Sequence, residues 1–263
     1  MTNTRNLRDL NGKIAIVTGA SRLKGIGASI CLELAKRGAD IFFTYWTPYD
    51  NSFPWRGHQT EPARLVELVE KQGVKCYSLE LDLSDPSSPK HLLDVVHNNL
   101  GNPHILVNNA CYSTSDSYET LSHSTLDSHY EINVRATTLL SLEFIKRFEA
   151  GGSGRIINLS SGQSLGPMTD ELSYAITKGA VETLTYTLAA AVAHKGITVN
   201  AVNPGPTDTG WMSEDDKLNL ASRFPKGRIG EPKDAANLVS FLASEEGAWV
   251  TGQIIHSEGG FRR

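Results

Sequence analysis

The chain lacks the features that would send it to a membrane, a secretory route or a nucleic acid. Its three cysteines, Cys31, Cys76 and Cys111, are odd in number, far apart and without C-x-x-C spacing. That usage gives no disulfide framework and no zinc motif, and it reads as reduced thiols in a cytoplasmic protein. No apolar stretch approaches the roughly eighteen residues a spanning helix needs. Residues 1–13 are polar, carry Arg5, Arg8 and Asp9, and hold no apolar core of a secretory signal, so secretion is not expected. No run of Lys and Arg occurs and the net charge is -4, which leaves nothing to grip a phosphate backbone or an anionic bilayer. A break in composition is also missing, so one domain over 1–263 is expected.

What is present is a chain of 263 residues, 40% hydrophobic and 21% charged, in which short apolar runs alternate with helical patterns. Strands are expected at 13–17, 41–45, 74–81, 104–107, 155–159, 197–202 and 253–256. Helices are expected at 27–37, with Gly38 as its stop, and at 61–72, with Thr60 as N-cap and Pro62 in the first turn. Others are expected from Asp85-Pro86 to about 100, and at 126–148, 172–194 and 233–242. Gly151 to Gly154 turn the chain back. Residues 46–60 read as an unusually long loop carrying Pro48, Tyr49, Phe53, Pro54, Trp55, Gly57 and His58, either a packed surface insertion or a cover over a ligand. Seven apolar strands separated by helices, with no hairpin signal, predict an α/β fold: a doubly wound, Rossmann-type parallel sheet with helices on both faces. Such a sheet binds ligands beyond the carboxyl ends of its strands.

The segment after the first strand, Thr18-Gly19-Ala20-Ser21-Arg22-Leu23-Lys24-Gly25-Ile26-Gly27, has the context of a glycine-rich phosphate loop. Gly19 permits the tight turn, and Gly25 and Gly27 let backbone N–H groups approach a pyrophosphate at the positive helix end. A glycine turn that binds nothing is the plain alternative. Further on, Tyr174 and Lys178 lie four apart near the start of a predicted helix, which puts them on one face. A free phenol ionises near pH 10, about 3 units too high to trade protons readily at neutrality. The Lys178 ammonium, the helix N-terminus and a cationic nicotinamide are each expected to lower it. Tyr174 is then a general acid or base at a carbonyl oxygen, and Ser161, just past a strand, a hydrogen-bond donor to the same oxygen.

Taken in order, six elements resemble the short-chain dehydrogenases/reductases over nearly the whole chain, and most of all the bacterial 3-oxoacyl-acyl-carrier-protein reductases. They are the 18–27 loop, Asn108-Asn109-Ala110, Asn133, Ser160-Ser161, the Tyr174/Lys178 pair, and Asn203-Pro204-Gly205-Pro206-Thr207-Asp208-Thr209. The resemblance implies a nicotinamide dinucleotide held by Thr18, Gly19, Ser21, Arg22, Gly25, Ile26 and Gly27. It implies Asp82 and Leu83 beside the adenine, Asn109 and Ala110 along the cofactor, and Pro204, Gly205, Thr207 and Thr209 around the nicotinamide and pyrophosphate. Asn108–Ala110 serve equally well as braces of the central strands. Ser161, thirteen residues before Tyr174, is the implied catalytic serine rather than Ser160; Lys178 also holds the nicotinamide ribose. Asn133 is the implied helix asparagine whose main chain holds a water leading from the lysine, and mid-helix asparagine is otherwise unfavourable. Enoyl reductases, a related branch, space their Tyr and Lys more widely, so the closer pair here points to carbonyl–alcohol chemistry. A homotetramer on two long helices and the C-terminal segment is implied as well.

Cofactor choice follows from the end of the second strand, where Tyr45 stands and no acid comes before Asp50. An acid there would take both hydroxyls of an NAD ribose, whereas Arg22, with Lys24, can pair a 2′-phosphate. NADP(H) is therefore expected over NAD(H), although the glycine loop is two residues longer than usual and Leu23-Lys24 can carry Arg22 aside. Residues 209–228, with Trp211, Met212 and Phe224, read as a mobile lid; Gln163, Leu165, Met168, Cys111 and Tyr112 are candidate walls. The substrate is expected to be a small carbonyl compound or alcohol. A 3-oxoacyl thioester would want a basic patch, for which Arg223, Lys226 and Arg228 stand behind Glu214-Asp215-Asp216. The rival reading is a dinucleotide-binding regulator or scaffold without turnover.

Overall fold

The computed structural model describes residues 8–53, 59–149 and 152–263; Arg5, Trp55, His58 and Gly151 lie outside them. The strands are β1 (Ile14–Val17), β2 (Asp40–Tyr45), β3 (Cys76–Glu80), β4 (Ile105–Asn108), β5 (Gly154–Leu159), β6 (Ile197–Asn203) and β7 (Ile254–His256). They form one parallel sheet in the order β3-β2-β1-β4-β5-β6-β7. The helices are α1 (Ile26–Lys36), α2 (Thr47–Asn51), α3 (Glu61–Glu70), α4 (Ser88–Asn99), α5 (His123–His129), α6 (Thr137–Arg147), α7 (Leu172–Val192), α8 (Glu214–Ala221) and α9 (Pro232–Ala243).

Both faces of the sheet's centre are covered, so β1, β4, β5 and β6 are buried along their whole length, whereas the edge strand β3 is largely exposed. Ala15, Val17, Ile41 and Phe43 pack on one side under Ile30 and Leu34 of α1, Leu65 of α3 and Val239 of α9. Ile14, Ile16, Phe42 and Ile156 pack on the other under Leu92 of α4, Phe144 of α6 and Leu188 of α7. Strand order reverses between β1 and β4, so the loops after these two strands meet at the carboxyl edge. No helix among the described residues is long and apolar enough to cross a membrane.

The structure corrects several local expectations. Residues 46–60 are not a plain loop, because Pro48 in a first turn starts the short helix α2. The helix expected from Asp85 starts at Ser88, because Asp85 Oδ1 accepts hydrogen bonds from Ser87 N and Oγ, both at 2.8 Å, in a turn. Thr60 does precede α3 at the N-cap position but makes no side-chain capping bond. The long helix expected at 126–148 begins earlier, capped by Ser122 Oγ accepting from Thr125 N, and widens at Tyr130–Ala136 into a π-helical turn.

Candidate active site

The loop after β1 is built around Thr18, which is 1% exposed. Its Oγ1 accepts from Asn109 N at 3.1 Å and Ala110 N at 3.0 Å, tying the β1 loop to the end of β4. Asn109 Nδ2 returns the tie by donating to the Thr18 and Gly19 carbonyls at 2.9 and 2.8 Å. Two glycines are forced by this closeness. Gly19 has φ +72, and a Cβ there would lie 2.6 Å from Ala110 Cα. A Cβ on Gly27 would lie 2.6 Å from the Gly19 oxygen and 2.7 Å from Asn109 Nδ2. Gly25 takes the N-cap position of α1 with no side-chain cap and no acid in the first turn, so the first N–H groups of an eleven-residue helix are left for an anion. Backbone exposed in this way fits a pyrophosphate, and the residues present fit a dinucleotide. Asn108 has the bracing job instead: Nδ2 donates to Asn158 Oδ1 at 2.8 Å and Ser141 Oγ at 3.2 Å within the core.

At the adenosine end, Asp82 and Leu83 follow β3; Asp82 Oδ1 accepts from Ser84 N at 2.8 Å and Leu83 is buried. Tyr45 closes β2, half-buried against Phe43. The two extra loop residues leave Arg22 close to the short helix α2. Leu23 N donates to Glu61 Oε2 at 2.6 Å and Leu23 packs on the core, which holds Arg22 in a cavity with Ser21, Thr47, Asp50, Asn51 and Gln59. There Arg22 Nη1 donates to the Thr209 carbonyl at 3.0 Å, while Nε lies 3.7 Å from Asp50 Oδ1. No local pattern in the sequence signals that α2 brings an acid to Arg22. Burial pushes the Asp50 carboxyl up, against the pull of Ser21 and Arg22.

Past the carboxyl end of β5 come Ser160 and Ser161, and α7 carries Tyr174 and Lys178. Ser160 points inward, its Oγ donating to Glu182 Oε1 at 2.8 Å. Ser161 instead lies beside the Tyr174 hydroxyl, close enough to favour its ionised form. Lys178, 4% exposed, donates to the Leu159 carbonyl at 2.7 Å, hydrogen-bonds the Cys111 thiol, and lies 5.5 Å from the centre of the Tyr174 ring. Burial, then the Cys111 thiol, pushes Tyr174 above its ordinary value of 10, while Ser161 pulls it down.

Asn133 sits in the π-helical turn, a backbone form common at functional sites. Its side chain has a task the sequence did not show. Oδ1 accepts from Tyr112 N at 2.8 Å, and Nδ2 donates to Tyr112 O at 2.9 Å and Thr177 Oγ1 at 3.0 Å. It thereby fixes the segment after β4 against α7. Beyond β6, Gly205 has φ +64, and Thr207 Oγ1 donates to the Gly205 carbonyl at 3.0 Å. Pro204 precedes this turn, and Thr209 reaches Arg22 as described. The expected lid contains α8, with Trp211 half-exposed and Met212 and Phe224 buried.

Other residues join the site only in three dimensions. Tyr49 of α2 packs on Tyr112 with ring centres 5.4 Å apart, and its hydroxyl accepts from Ser113 N at 3.1 Å. Glu171, at the start of α7, is pushed up by burial and by Asp116 and Asp170. Gln163, two residues past Ser161, has both amide atoms buried and without a protein partner.

A family model described as enoyl-(acyl carrier protein) reductase matches residues 19–262. An oxidoreductase of Bacillus subtilis (strain 168), YjdA, is 48% identical over 95% of this chain and 97% of its own length. An NADPH-dependent aldehyde reductase-like protein, chloroplastic, of Arabidopsis thaliana is 36% identical over 96% of this chain and 95% of its own. Among solved structures, a short chain dehydrogenase from Burkholderia cenocepacia J2315 in complex with NADP superposes with a TM-score of 0.84 at 32% identity, covering 96% of this chain and 98% of that one.

Proposed function

This chain belongs to the short-chain dehydrogenase/reductase family and is an NAD(P)-dependent oxidoreductase, and from that premise we propose that it reduces a small aldehyde or ketone with NADPH. The observation that carries the reading is the meeting of Ser161, Tyr174 and Lys178 in a fold that also builds a glycine cradle with Arg22 beside it. A regulator without turnover would not need a buried lysine and a serine beside one phenol.

The dinucleotide, when bound, supplies the hydride to the carbonyl carbon. Gly19, Gly25, Ile26 and Gly27 hold its pyrophosphate, Ser21 and Arg22 its 2′-phosphate, Asn109 and Ala110 its spine, with Asp82, Leu83 and Tyr45 at the adenine. Pro204, Gly205, Thr207 and Thr209 flank the nicotinamide. Ser161 orients the substrate oxygen, and Tyr174 gives it the proton. Because burial keeps the phenol protonated across neutral pH, the resting enzyme is poised for reduction. Lys178 holds the ribose and, through the main chain at Asn133, takes part in returning a proton to Tyr174.

The substrate reading follows from Gln163. An amide with both polar atoms buried and unpaired asks for a hydrogen-bonding group near the reacting carbonyl. A carrier-bound 3-oxoacyl thioester is less well served, because Arg228 is forked onto Asp234 at 2.7 Å and Arg223 donates to the Arg262 carbonyl at 2.8 Å. The relative named for NADPH-dependent aldehyde reduction points the same way. Reduced cytoplasmic residence accords with the free thiols of Cys31, Cys76 and Cys111. A homotetramer accords with the exposed Leu142 of α6, Ile176 and Tyr186 of α7, and Trp249.

The test is a scan of aldehydes and ketones, plain and hydroxylated, following cofactor absorbance with NADPH and NADH. Turnover of hydroxylated carbonyls with NADPH is expected. Binding of NADPH without turnover of any carbonyl would favour the regulator.

A further inference from the structure

The segment after β7 reaches back to the catalytic serine. Arg263 lays its side chain along the turn that follows Ser161: its Cδ would lie 3.0 Å from a Cβ built on Gly166, and a side chain at Gly162 would collide with Arg263 Nη2. Its guanidinium is forked onto Glu258, Nη1 to Oε1 at 3.0 Å and Nη2 to Oε2 at 2.7 Å. Glu258 in turn belongs to the opposite wall. Its Oε2 accepts from Asn203 Nδ2 at 3.0 Å, Asn203 Oδ1 accepts from Gly205 N at 2.9 Å, and Glu258 packs against Gly205. The fork and its partners hold the Glu258 carboxyl below its ordinary range, with Arg263 as the main cause. Between the two ends, Phe261 lies 4.9 Å from Phe224 and has the Arg223 and Arg263 guanidinium groups 4.7 and 5.6 Å from its ring centre.

We propose that Arg263 and Glu258 are positioning residues, a clasp that sets the Ser161 turn against the Asn203–Gly205 wall and so fixes where Ser161 meets the substrate oxygen. Arg263 fills the space beside Gly162 and Gly166 that side chains there would otherwise share. A planar fork fixes both direction and distance, which a lysine cannot do. Glu258 is 10% exposed, so the pair is shielded enough to hold one geometry. The clasp acts on the substrate oxygen through Ser161.

The inference rests on the carbonyl-reductase reading, and the experiment separates the two. With the parent enzyme and a turned-over aldehyde in hand, Arg263→Leu, Arg263→Lys and Glu258→Gln are compared by kcat, KM and NADPH affinity, with thermal unfolding as the check on folding. In Arg263→Leu and Glu258→Gln, kcat is expected to fall roughly ten- to a hundredfold while the NADPH Kd stays within about twofold. Arg263→Lys is expected to recover only part of the loss. The deciding measurement repeats Arg263→Leu in a Ser161→Ala background, where it should cost almost nothing further. Full kcat in folded Arg263→Leu, or the same fold loss with and without Ser161, overturns the clasp. Absence of turnover in the parent would instead count against the reductase reading.

Discussion

On the proposed mechanism Tyr174 carries the proton, and burial of its hydroxyl favours the acid form over the base. Burial raises its pKa, so the phenol is protonated through neutral pH and for some way above it. Reduction, which needs that proton, should hold its rate across neutrality and decline only under alkaline conditions. Alcohol oxidation, which needs the phenolate, should climb as pH rises. Opposite slopes in the two directions check this; parallel profiles would contradict it. Tyr174→Phe should lower kcat by about 10²–10⁴, the usual worth of a general acid, while NADPH titrated by fluorescence binds nearly as before. A variant that turns over at the parent rate would remove Tyr174 from the mechanism.

At the scale of elements, two short pieces set the site. The π-helical turn Tyr130–Ala136 aims Asn133 at both backbone groups of Tyr112. Asn133→Ala strands those groups and should cost about 1–3 kcal/mol in urea unfolding, together with much of the activity. A change within a few tenths would show that water replaces the amide. The second piece is α2, which carries Asp50 to within 3.7 Å of Arg22. Arg22→Ala should weaken NADPH by about 1.5–3 kcal/mol, roughly tenfold or more in Kd, and NADH far less. Asp50→Asn, which removes a carboxylate facing the same phosphate, should move preference further towards NADPH. Equal effects of either change on the two cofactors would refute the assignment of this cavity to the 2′-phosphate.

The whole molecule is held by a sheet buried on both faces, and its thiols report on that core. Burial, with Glu70 adding to it, pushes the Cys76 pKa from 9.0 up to about 12. The folded state therefore keeps the thiol neutral where the unfolded chain ionises. This contribution is complete below pH 9 and is lost between about pH 9 and 12, amounting to at most about 4 kcal/mol. Urea unfolding across that window should show stability falling with pH, and less steeply in Cys76→Ala; identical slopes would mean that Cys76 titrates alike in both states. In size, mass spectrometry under native conditions should give four times the 28.6 kDa of one chain.

The sequence alone determined the parallel α/β sheet, because strands buried on both faces must be apolar throughout and helices must show one apolar face. It also marked the glycine loop, since close backbone approach leaves its sign within a few residues, and it offered Ser161, Tyr174 and Lys178 as candidates, chiefly through the family resemblance. Boundaries drifted where a side chain competed with the backbone, as Asp85 did with the first turn of α4. What only the tertiary structure decided is how distant side chains share space and charge. The aim of Lys178 at Leu159 and Cys111, the acid that α2 brings to Arg22, and the reach of Arg263 to Gly162 each join segments far apart in the chain. Such pairings depend on where the folded backbone delivers each group, and no local pattern records that.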